Sequence, residues 1–195
     1  ACRTGPCRAR PAREGGGAIY FYAEEYSGQL TIDSGSKFTG DNASAIYLYG
    51  TYGGVDTSIT DSTLSGNISP SLNGIDTTYG CGAAVCDLMY SYAGDTLTMA
   101  RDVVSNNASA GAGGAGAVEM YTYYYGGSAL NLTSDVFSGN TASSDGLGGA
   151  VLMYNDDDYD QDSLRSTGNV FTNNSAGTAA ATDYGGALAV YDCSA

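Results

Sequence analysis

The sequence repeats one short unit several times, and this repetition limits the possible fold more than any other feature. Each copy begins with a pair of small residues and continues into a short apolar stretch. The copies read GAIYFY from Gly17, SAIYLY from Ser44, AAVCDL from Ala83, GAVEMY from Gly116, GAVLMY from Gly149 and GALAVY from Gly186. Their alanines at positions 18, 45, 84, 117, 150 and 187 lie 27, 39, 33, 33 and 37 residues apart. Units of this length stack on their neighbours to bury an apolar face.

Two further apolar segments follow in each of the first five copies. The second reads LTID from Leu30, SITD from Ser58, LTMA from Leu97, LNLT from Leu130 and LRST from Leu164. The third reads FTGDN from Phe38, LSGN from Leu64, VSNN from Val104, FSGN from Phe137 and FTNN from Phe171. Turn residues separate the segments, and helical periodicity is absent. The pattern predicts an all-β fold, a parallel β-helix (solenoid) of about five to six coils with three short strands per coil.

Alternation along the first strand predicts which side chains face the interior. Counting from the alanine as zero, positions one and three are apolar in five copies and should point inward. Position four should face outward, and in the same five copies it is tyrosine: Tyr22, Tyr49, Tyr121, Tyr154 and Tyr191. Strand preference explains single tyrosines, whereas a column suits contact with a neighbouring subunit or with glycans. The remaining copy has Asp87 at position three, which predicts a bulge or a register shift that brings Met89 and Tyr90 into line.

An amide or acidic residue follows three positions after the apolar residue of each third segment. These residues are Asp41, Asn67, Asn107, Asn140 and Asn174. At the strand spacing of about 4.8 Å, stacked amides can hydrogen-bond along the solenoid axis and tolerate a left-handed turn. The sequence therefore predicts an asparagine ladder at this corner.

Asn-x-Ser/Thr triplets occur at five positions and are candidates for N-glycosylation. They are Asn42, Asn67, Asn107, Asn131 and Asn173. A sequence rich in Asn and Ser also generates such triplets by chance, and both interpretations stay open. Asn131 is the best placed, because alternation with Leu130 and Leu132 turns it outward. If the asparagine ladder is buried, Asn67 and Asn107 cannot carry glycans.

The paired G-G-A-[ILV] and F-x-x-N motifs resemble the repeats of chlamydial polymorphic outer membrane proteins, and similar repeats occur in eukaryotic surface proteins. The resemblance covers roughly residues 15 to 192. It implies a right-handed parallel β-helix displayed outside the cell, often in adhesion. The chain departs from that family by lacking a membrane β-barrel segment at its C-terminal end, which favours a soluble or assembled form.

Five cysteines are present: Cys2, Cys7, Cys81, Cys86 and Cys193. In an oxidising compartment an odd number leaves one thiol free or bonded to another chain. Local Cys81–Cys86 and Cys2–Cys7 pairs are one interpretation, and a cross-link between the chain termini is the other. The absence of histidine and of C-x₂-C spacing argues against a zinc site.

Composition excludes several classes of function. Without histidine, Ser-His-Asp and Cys-His catalysis are impossible. The net charge of −14 argues against nucleic-acid partners. Four of the seven basic residues lie within the first fourteen positions, as Arg3, Arg8, Arg10 and Arg13. No apolar run approaches the ~20 residues of a membrane helix, so we expect no membrane insertion.

Acidic residues are the remaining candidates for chemistry. Asp156, Asp157, Asp158, Asp160 and Asp162 could ligate calcium, but a solvated acidic loop is the simpler interpretation. Asp33, Asp61, Asp102 and Asp135 recur near the end of the second strand. Because a catalytic site is normally an exception to a repeat, their recurrence argues against catalysis. We therefore predict no enzymatic activity, no cofactor and no metal.

These observations predict a basic extension over residues 1–14 and a β-helix domain over residues 15–195. The expected function is that of a glycosylated structural subunit of an extracellular filament or surface appendage. Its copies would assemble head to tail through uncapped ends, so the expected partners are further copies and glycans. A monomeric surface adhesin fragment is the alternative, and a polysaccharide-active β-helix enzyme is the third choice.

Overall fold

The computed structural model describes residues 17–23, 27–69, 81–90, 92, 94–110, 114–123, 126–143, 146–155, 162–177 and 185–192. All regular secondary structure in these ranges is β-strand. The described residues contain no helix of the length and hydropathy needed to span a membrane. The 1–14 extension with Cys2 and Cys7, the acidic residues at 156–160, and Cys193 lie outside the described residues.

Three parallel sheets run the length of the described chain, each built from one strand of successive repeats. Sheet A contains β1 (Ile19–Ala23), β4 (Ile46–Gly50), β8 (Val85–Met89), β12 (Val118–Thr122), β15 (Val151–Asn155) and β18 (Leu188–Asp192). Sheet B contains β2 (Gly28–Ile32), β5 (Val55–Thr60), β9 (Thr96–Ala100), β13 (Ala129–Thr133) and β16 (Ser163–Thr167). Sheet C contains β3 (Lys37–Thr39), β6 (Thr63–Ser65), β10 (Val103–Ser105), β14 (Val136–Ser138) and β17 (Val170–Thr172), and β7 (Ile68–Ser69) pairs with β11 (Ala108–Ser109). These stacked parallel sheets form a β-solenoid, as the repeats predicted.

The core lies between the three sheets and follows the predicted alternation. In sheet A, positions one and three point inward, and Ile46, Leu48 and Met120 are buried there. Leu132 from sheet B and Phe137 from sheet C complete the same cluster. Identical faces can meet in this way because each strand pairs in parallel with the equivalent strand of the next repeat.

The expected bulge or register shift at Asp87 is wrong. Strand β8 pairs residue for residue with β4 and with β12, so Asp87 takes the inward position between Leu48 and Met120. It is buried there. Pairing with two neighbouring strands holds the register, and the carboxyl group is accommodated inside the core.

The predicted asparagine ladder is present and buried. The Nδ2 of Asn67 donates to Oδ1 of Asn107 at 3.0 Å, and Asn107 donates in the same way to Asn140 at 2.9 Å. Asn140 continues the ladder to Asn174 at 3.0 Å. Each Oδ1 also accepts the backbone N–H of the preceding ladder residue, beginning with Asp41 on Asn67. The ladder therefore satisfies backbone donors that the turn removes from the sheets.

At the other two corners, side-chain oxygens also accept backbone N–H groups of the preceding repeat, but the side chains differ. Between sheets B and C, Oδ1 of Asp102 accepts the Ser62 N–H at 2.7 Å, and Oδ1 of Asp135 accepts the Asp102 N–H at 2.8 Å. Asn169 accepts the Asp135 N–H at 2.7 Å. Between sheets A and B, Oδ1 of Asp95 accepts the N–H of Val55. Every turn of the solenoid is thus joined to the next through a side-chain acceptor.

The left-handed backbone lies one residue before the ladder position, not at it as the sequence suggested. At the corner after sheet C these residues are Gly40, Gly66, Asn106, Gly139 and Asn173, and at the corner after sheet B they are Gly35, Asp61, Arg101, Ser134 and Gly168. The left-handed region favours glycine and asparagine, so the turn sequences suit their backbone. The ladder side chain is left in an ordinary conformation, from which it can point along the axis.

Replacing Asn107 with alanine should destabilise the fold by about 3 kcal/mol or more, because each buried polar group left without a partner costs about 1–3 kcal/mol. Asn67 would lose its acceptor, and the Leu64 carbonyl would lose a donor. Urea unfolding followed by circular dichroism measures the change.

Asn131→Ala is the matched control, since Asn131 lies on the outer face and is only half-buried. It should change stability by no more than about 0.5 kcal/mol. Equal stability of the two variants would contradict a stabilising role for the ladder.

Candidate functional site on the outer face of sheet A

The outer face of sheet A carries the predicted column of tyrosines in register. Tyr22 pairs with Tyr49 in the first two strands, and Tyr121, Tyr154 and Tyr191 pair in the last three. Leu88 occupies the equivalent position in β8. Parallel pairing without offset places the rings directly above one another.

Ring stacking continues across the strand that lacks a tyrosine at this position. Tyr90 packs against Tyr49 with ring centroids 5.6 Å apart, and Tyr123 packs against Tyr90 at 5.2 Å. Tyr123 also contacts Tyr121 at 6.2 Å. We call the resulting set the tyrosine column: Tyr22, Tyr49, Tyr90, Tyr123, Tyr121, Tyr154 and Tyr191.

The sequence brought Tyr90 into line only through a register shift, which does not occur, and it did not assign Tyr123 to this column. Each lies two residues beyond position four of its repeat, and residues two apart share one face of a strand. Extending the alternation past the strand would have placed both rings on the outer face. Tyr90 and Tyr123 thus connect the two parts of the column on either side of Leu88.

The middle of the column is covered, which the sequence did not predict. Tyr22 and Tyr191 are each 39% exposed, whereas Tyr121 is 1% exposed and packs with Cys81, Cys86 and Leu88. Tyr121 faces outward from the solenoid core, but a buried ring cannot meet a partner or a glycan. Tyr121 is therefore excluded from contact, whereas the other inner rings are half-buried and the two end rings are the most exposed.

A disulfide between Cys81 and Cys86 helps to form this cover. Their Cα atoms are 5.2 Å apart, and Cys86 lies on the outer face of β8 between Tyr47 and Glu119. The local pairing is confirmed for these two cysteines. It ties the segment that enters β8 against the outer face of the sheet.

The rings at the two ends of the column pack face to face. Tyr154 and Tyr191 lie 4.6 Å apart with planes 9° from parallel, and Tyr22 and Tyr49 lie 5.4 Å apart at 16°. In the middle, the ring of Tyr90 is tilted by 33° to that of Tyr49 and by 35° to that of Tyr123. Stacked rings cover part of each other's faces, which reduces the ring area open to a sugar at the ends of the column.

Glu119 is a buried acid on the same outer face. It lies between Cys86 and Leu152 in register and is buried, and its Oε2 accepts the Ala115 N–H at 3.1 Å. Burial raises the pKa of Glu119 to about 8, and the hydrogen bond from Ala115 only partly opposes this. The side chain is therefore mostly protonated at neutral pH.

A second acidic group lies inside the solenoid. Asp87 and Asp95 are both buried, and Asp95 accepts the Val55 N–H. Among the described residues, neither carboxyl oxygen of Asp87 has a hydrogen-bond partner. Burial raises the pKa of Asp87 well above its usual range, and the negative charge of Asp95 adds to this effect. Burial also raises the pKa of Asp95 to about 6. The apolar interior therefore favours the uncharged form of Asp87.

Two of the four recurrent aspartates accept hydrogen bonds from the backbone. Asp102 accepts the N–H groups of Ser62 and Ala100 on its two oxygens, and Asp135 accepts those of Asp102 and Thr133. Burial raises the pKa of Asp102 to about 6, and these hydrogen bonds limit the rise. Both oxygens of each carboxyl group therefore bind backbone donors at the turn.

Asp61 forms a surface ion pair with Arg101 through two hydrogen bonds of 2.6 and 2.7 Å. The hydrogen bond from Arg101 lowers the pKa of Asp61. Asp33 is exposed near the first of these turns. In the described ranges, no three Cys, Asp or Glu side chains converge as metal ligands would. The candidate site is thus the tyrosine column on the outer face of sheet A, with the buried Glu119 on the same face.

No family model, curated protein or solved structure matches this chain.

Glu119→Gln should weaken the pH dependence of stability between pH 6 and 8. A glutamate with a folded-state pKa of about 8 and an unfolded pKa near 4.3 binds more protons when folded. Stability should therefore fall as pH rises, by up to about 1.4 kcal/mol per pH unit for this group. The chain contains no histidine, so buried acids dominate this window.

Thermal unfolding at several pH values measures the effect. Asp33→Asn, at an exposed position just after β2, is the control and should keep the wild-type slope. An unchanged slope in Glu119→Gln would show that Glu119 does not exchange its proton on unfolding.

Proposed function

We propose that this chain is a non-catalytic structural subunit of an extracellular filament or surface appendage, assembled head to tail. In this proposal it winds as a right-handed parallel β-helix of about five to six coils, with three strands per coil. Three parallel sheets of six, five and five strands support this winding. The polar side chains that recur at the corners form hydrogen bonds between successive repeats, which is typical of a structural role.

One observation carries the proposal: the apolar interior reaches solvent at the end of sheet A. Val190 pairs with Met153 and continues the same inward column, yet Val190 is 56% exposed and Met153 only 1%. Among the described residues, strand β18 is also the last strand of sheet A and pairs on one side only, with β15. An exposed edge beside an apolar side chain is a template for another strand.

Strand β1, at the opposite end of sheet A, is the proposed partner, and its inward column is less exposed than that of β18: Phe21 is only 4% exposed. Strand β1 places Ile19 and Phe21 in the inward column, at the positions that Leu188 and Val190 occupy in β18. A β1 strand from another copy would continue the inward apolar column. Adding a strand would bury Val190 and satisfy the edge of β18.

Sheet A extends one strand beyond sheets B and C at this end. Strand β18 follows β16 and β17, the last described strands of the other two sheets. Residues 1–14 lie outside the described residues; in the proposal, their basic charge attracts the docking copy to the acidic body of its neighbour.

The extracellular part of the proposal is supported by the Cys81–Cys86 disulfide, since disulfides persist in oxidising compartments. Glycosylation is proposed for Asn131, Asn42 and Asn173, which are exposed or half-buried. Asn67 and Asn107 leave the set of candidates because their side chains are buried and bonded in the ladder.

A monomeric surface adhesin is the second candidate. Tyr52 and Tyr92 stack at 6.4 Å on the turns that leave sheet A, and both are well exposed. Aromatic side chains of this kind suit contact with carbohydrate. The two candidates differ in whether native material consists of fibres or single particles.

Val190→Lys should raise the protein concentration needed for assembly at least about a hundredfold. Docking would bury an ammonium group without a partner, at a cost of several kcal/mol. Light scattering and negative-stain electron microscopy of purified protein measure the effect.

Val170→Lys is the matched control, since Val170 is also exposed, at 48%, but lies on the outer face of sheet C. It should assemble like the wild type. Single particles of the wild-type protein at all concentrations would favour the adhesin and reject the filament.

Native material from a eukaryotic source should carry an N-glycan on Asn131, because the side chain lies on the outer face of β13 between buried Leu130 and Leu132. Mass spectrometry of the peptide covering residues 128–134 measures its occupancy. Recovery of unmodified peptide alone would contradict this assignment.

A further inference from the structure

We propose that the interior of the solenoid binds a hard divalent cation between Asp87, Asp95 and Thr57. The three side chains supply oxygen atoms near the corner between sheets A and B, and oxygen ligands of this kind suit calcium. The inference does not depend on the proposed filament, because the site lies inside a single copy of the chain.

Two polar residues interrupt inward columns that are otherwise apolar. Asp87 lies in the column of sheet A whose other members are Phe21, Leu48, Met120, Met153 and Val190. Thr57 lies in the column of sheet B whose other members are Leu30, Leu97, Leu130 and Leu164. Both exceptions fall in neighbouring repeats. A functional site is normally an exception to a repeat, and two exceptions in one place therefore point to a site.

Asp95 brings the two exceptions together. It lies immediately before β9, and its Oδ1 accepts the Val55 N–H. Thr57 lies two residues after Val55 on the same inward face of β5, which makes Thr57 a diagonal neighbour of Asp95. The carboxyl group of Asp95 is also close enough to that of Asp87 for their charges to interact. One side chain thus contacts the surroundings of both others.

Four oxygen atoms of this set have no hydrogen-bond partner among the described residues. They are both carboxyl oxygens of Asp87, Oδ2 of Asp95 and Oγ1 of Thr57. Asp87 and Asp95 are each 1% exposed, and Thr57 is 2% exposed. Polar groups buried this deeply are normally satisfied by protein, by water or by an ion. A single ligand between the three side chains would satisfy all four atoms.

The charges of the surroundings favour a cation as that ligand. The basic side chains that the structure describes are Lys37, Arg101 and Arg165, and all three are exposed, so none of them neutralises the buried carboxyl groups. A divalent cation balances two carboxylates, and it would replace the proton that the apolar interior favours on Asp87. Carboxylate and hydroxyl oxygens are hard ligands, which select calcium or magnesium over softer metals.

The sequence predicted no metal, because its acidic clusters were sought among neighbours in the chain. The proposed ligands are separated by up to 38 residues, from Thr57 to Asp95. Only two of the three are acidic, so they do not form a group of three carboxyl side chains.

Metal-dependent stability tests the site. Protein with its disulfide intact is unfolded in urea, freed of metal with EDTA, and refolded into buffer containing calcium, magnesium or neither, so that slow entry of the ion does not hide binding. Thermal unfolding is then followed by circular dichroism. The metal content of the refolded and desalted protein is measured by inductively coupled plasma mass spectrometry.

Calcium should raise the midpoint of thermal unfolding of the wild type by about 5–10 °C at about a hundred times its dissociation constant. Asp87→Leu restores the apolar column, so it should fold, but it should lose this shift and retain about one ion fewer per chain. Thr57→Val keeps the shape of the side chain and removes the hydroxyl, which should weaken binding at least about tenfold. Asp33→Asn removes an exposed carboxyl group just after β2 and is the control that should keep the full shift.

An equal calcium response in the wild type and in Asp87→Leu would mean that the ion binds surface carboxylates only, and it would overturn the internal site. A wild type that responds to neither calcium nor magnesium would overturn it as well. A response to magnesium instead of calcium, lost in Asp87→Leu, would support the site and identify the ion that it selects.

Discussion

The fold depends on the hydrogen bond from a backbone N–H at each corner to a side-chain oxygen in the next repeat. Parallel strands pair through their own backbones, but a turn leaves donors without partners, and burying them unpaired would be costly. Asn107 and Asp102 supply the missing acceptors. Because the ladders restore the alignment at every corner, repeats of 27 to 39 residues still stack in register. Extra residues go into the turns.

The buried Asp and Glu side chains have two separate roles in the solenoid. Asp102 and Asp135 each accept backbone N–H groups with both carboxyl oxygens, so these buried carboxyl groups stabilise the turn. Asp87, Asp95 and Glu119 lie in apolar surroundings, and burial raises the pKa of each. Near neutral pH, protons held by these groups make the folded chain less negative than its formal charge of −14. Stability is thereby linked to proton binding.

The outer face of sheet A carries the tyrosine column and the Cys81–Cys86 disulfide. Identical register stacks the rings face to face towards both ends of the column, while Tyr90 lies tilted between Tyr49 and Tyr123. The disulfide segment covers Tyr121. In the head-to-tail assembly proposed above, a second copy would meet sheet A at β18.

The repeat, the strand alternation and the asparagine ladder could be predicted from the sequence, because period-two patterns and turn residues act locally. The outward positions of Tyr22 and Tyr191 followed from the same alternation. Three features depended on tertiary structure. Asp87 stays in register because strands on both sides hold it, Tyr121 is buried because a segment folds over it, and Tyr90 and Tyr123 bridge the column across Leu88. Each results from contacts between repeats, and a local pattern does not encode the energy of contacts with distant residues.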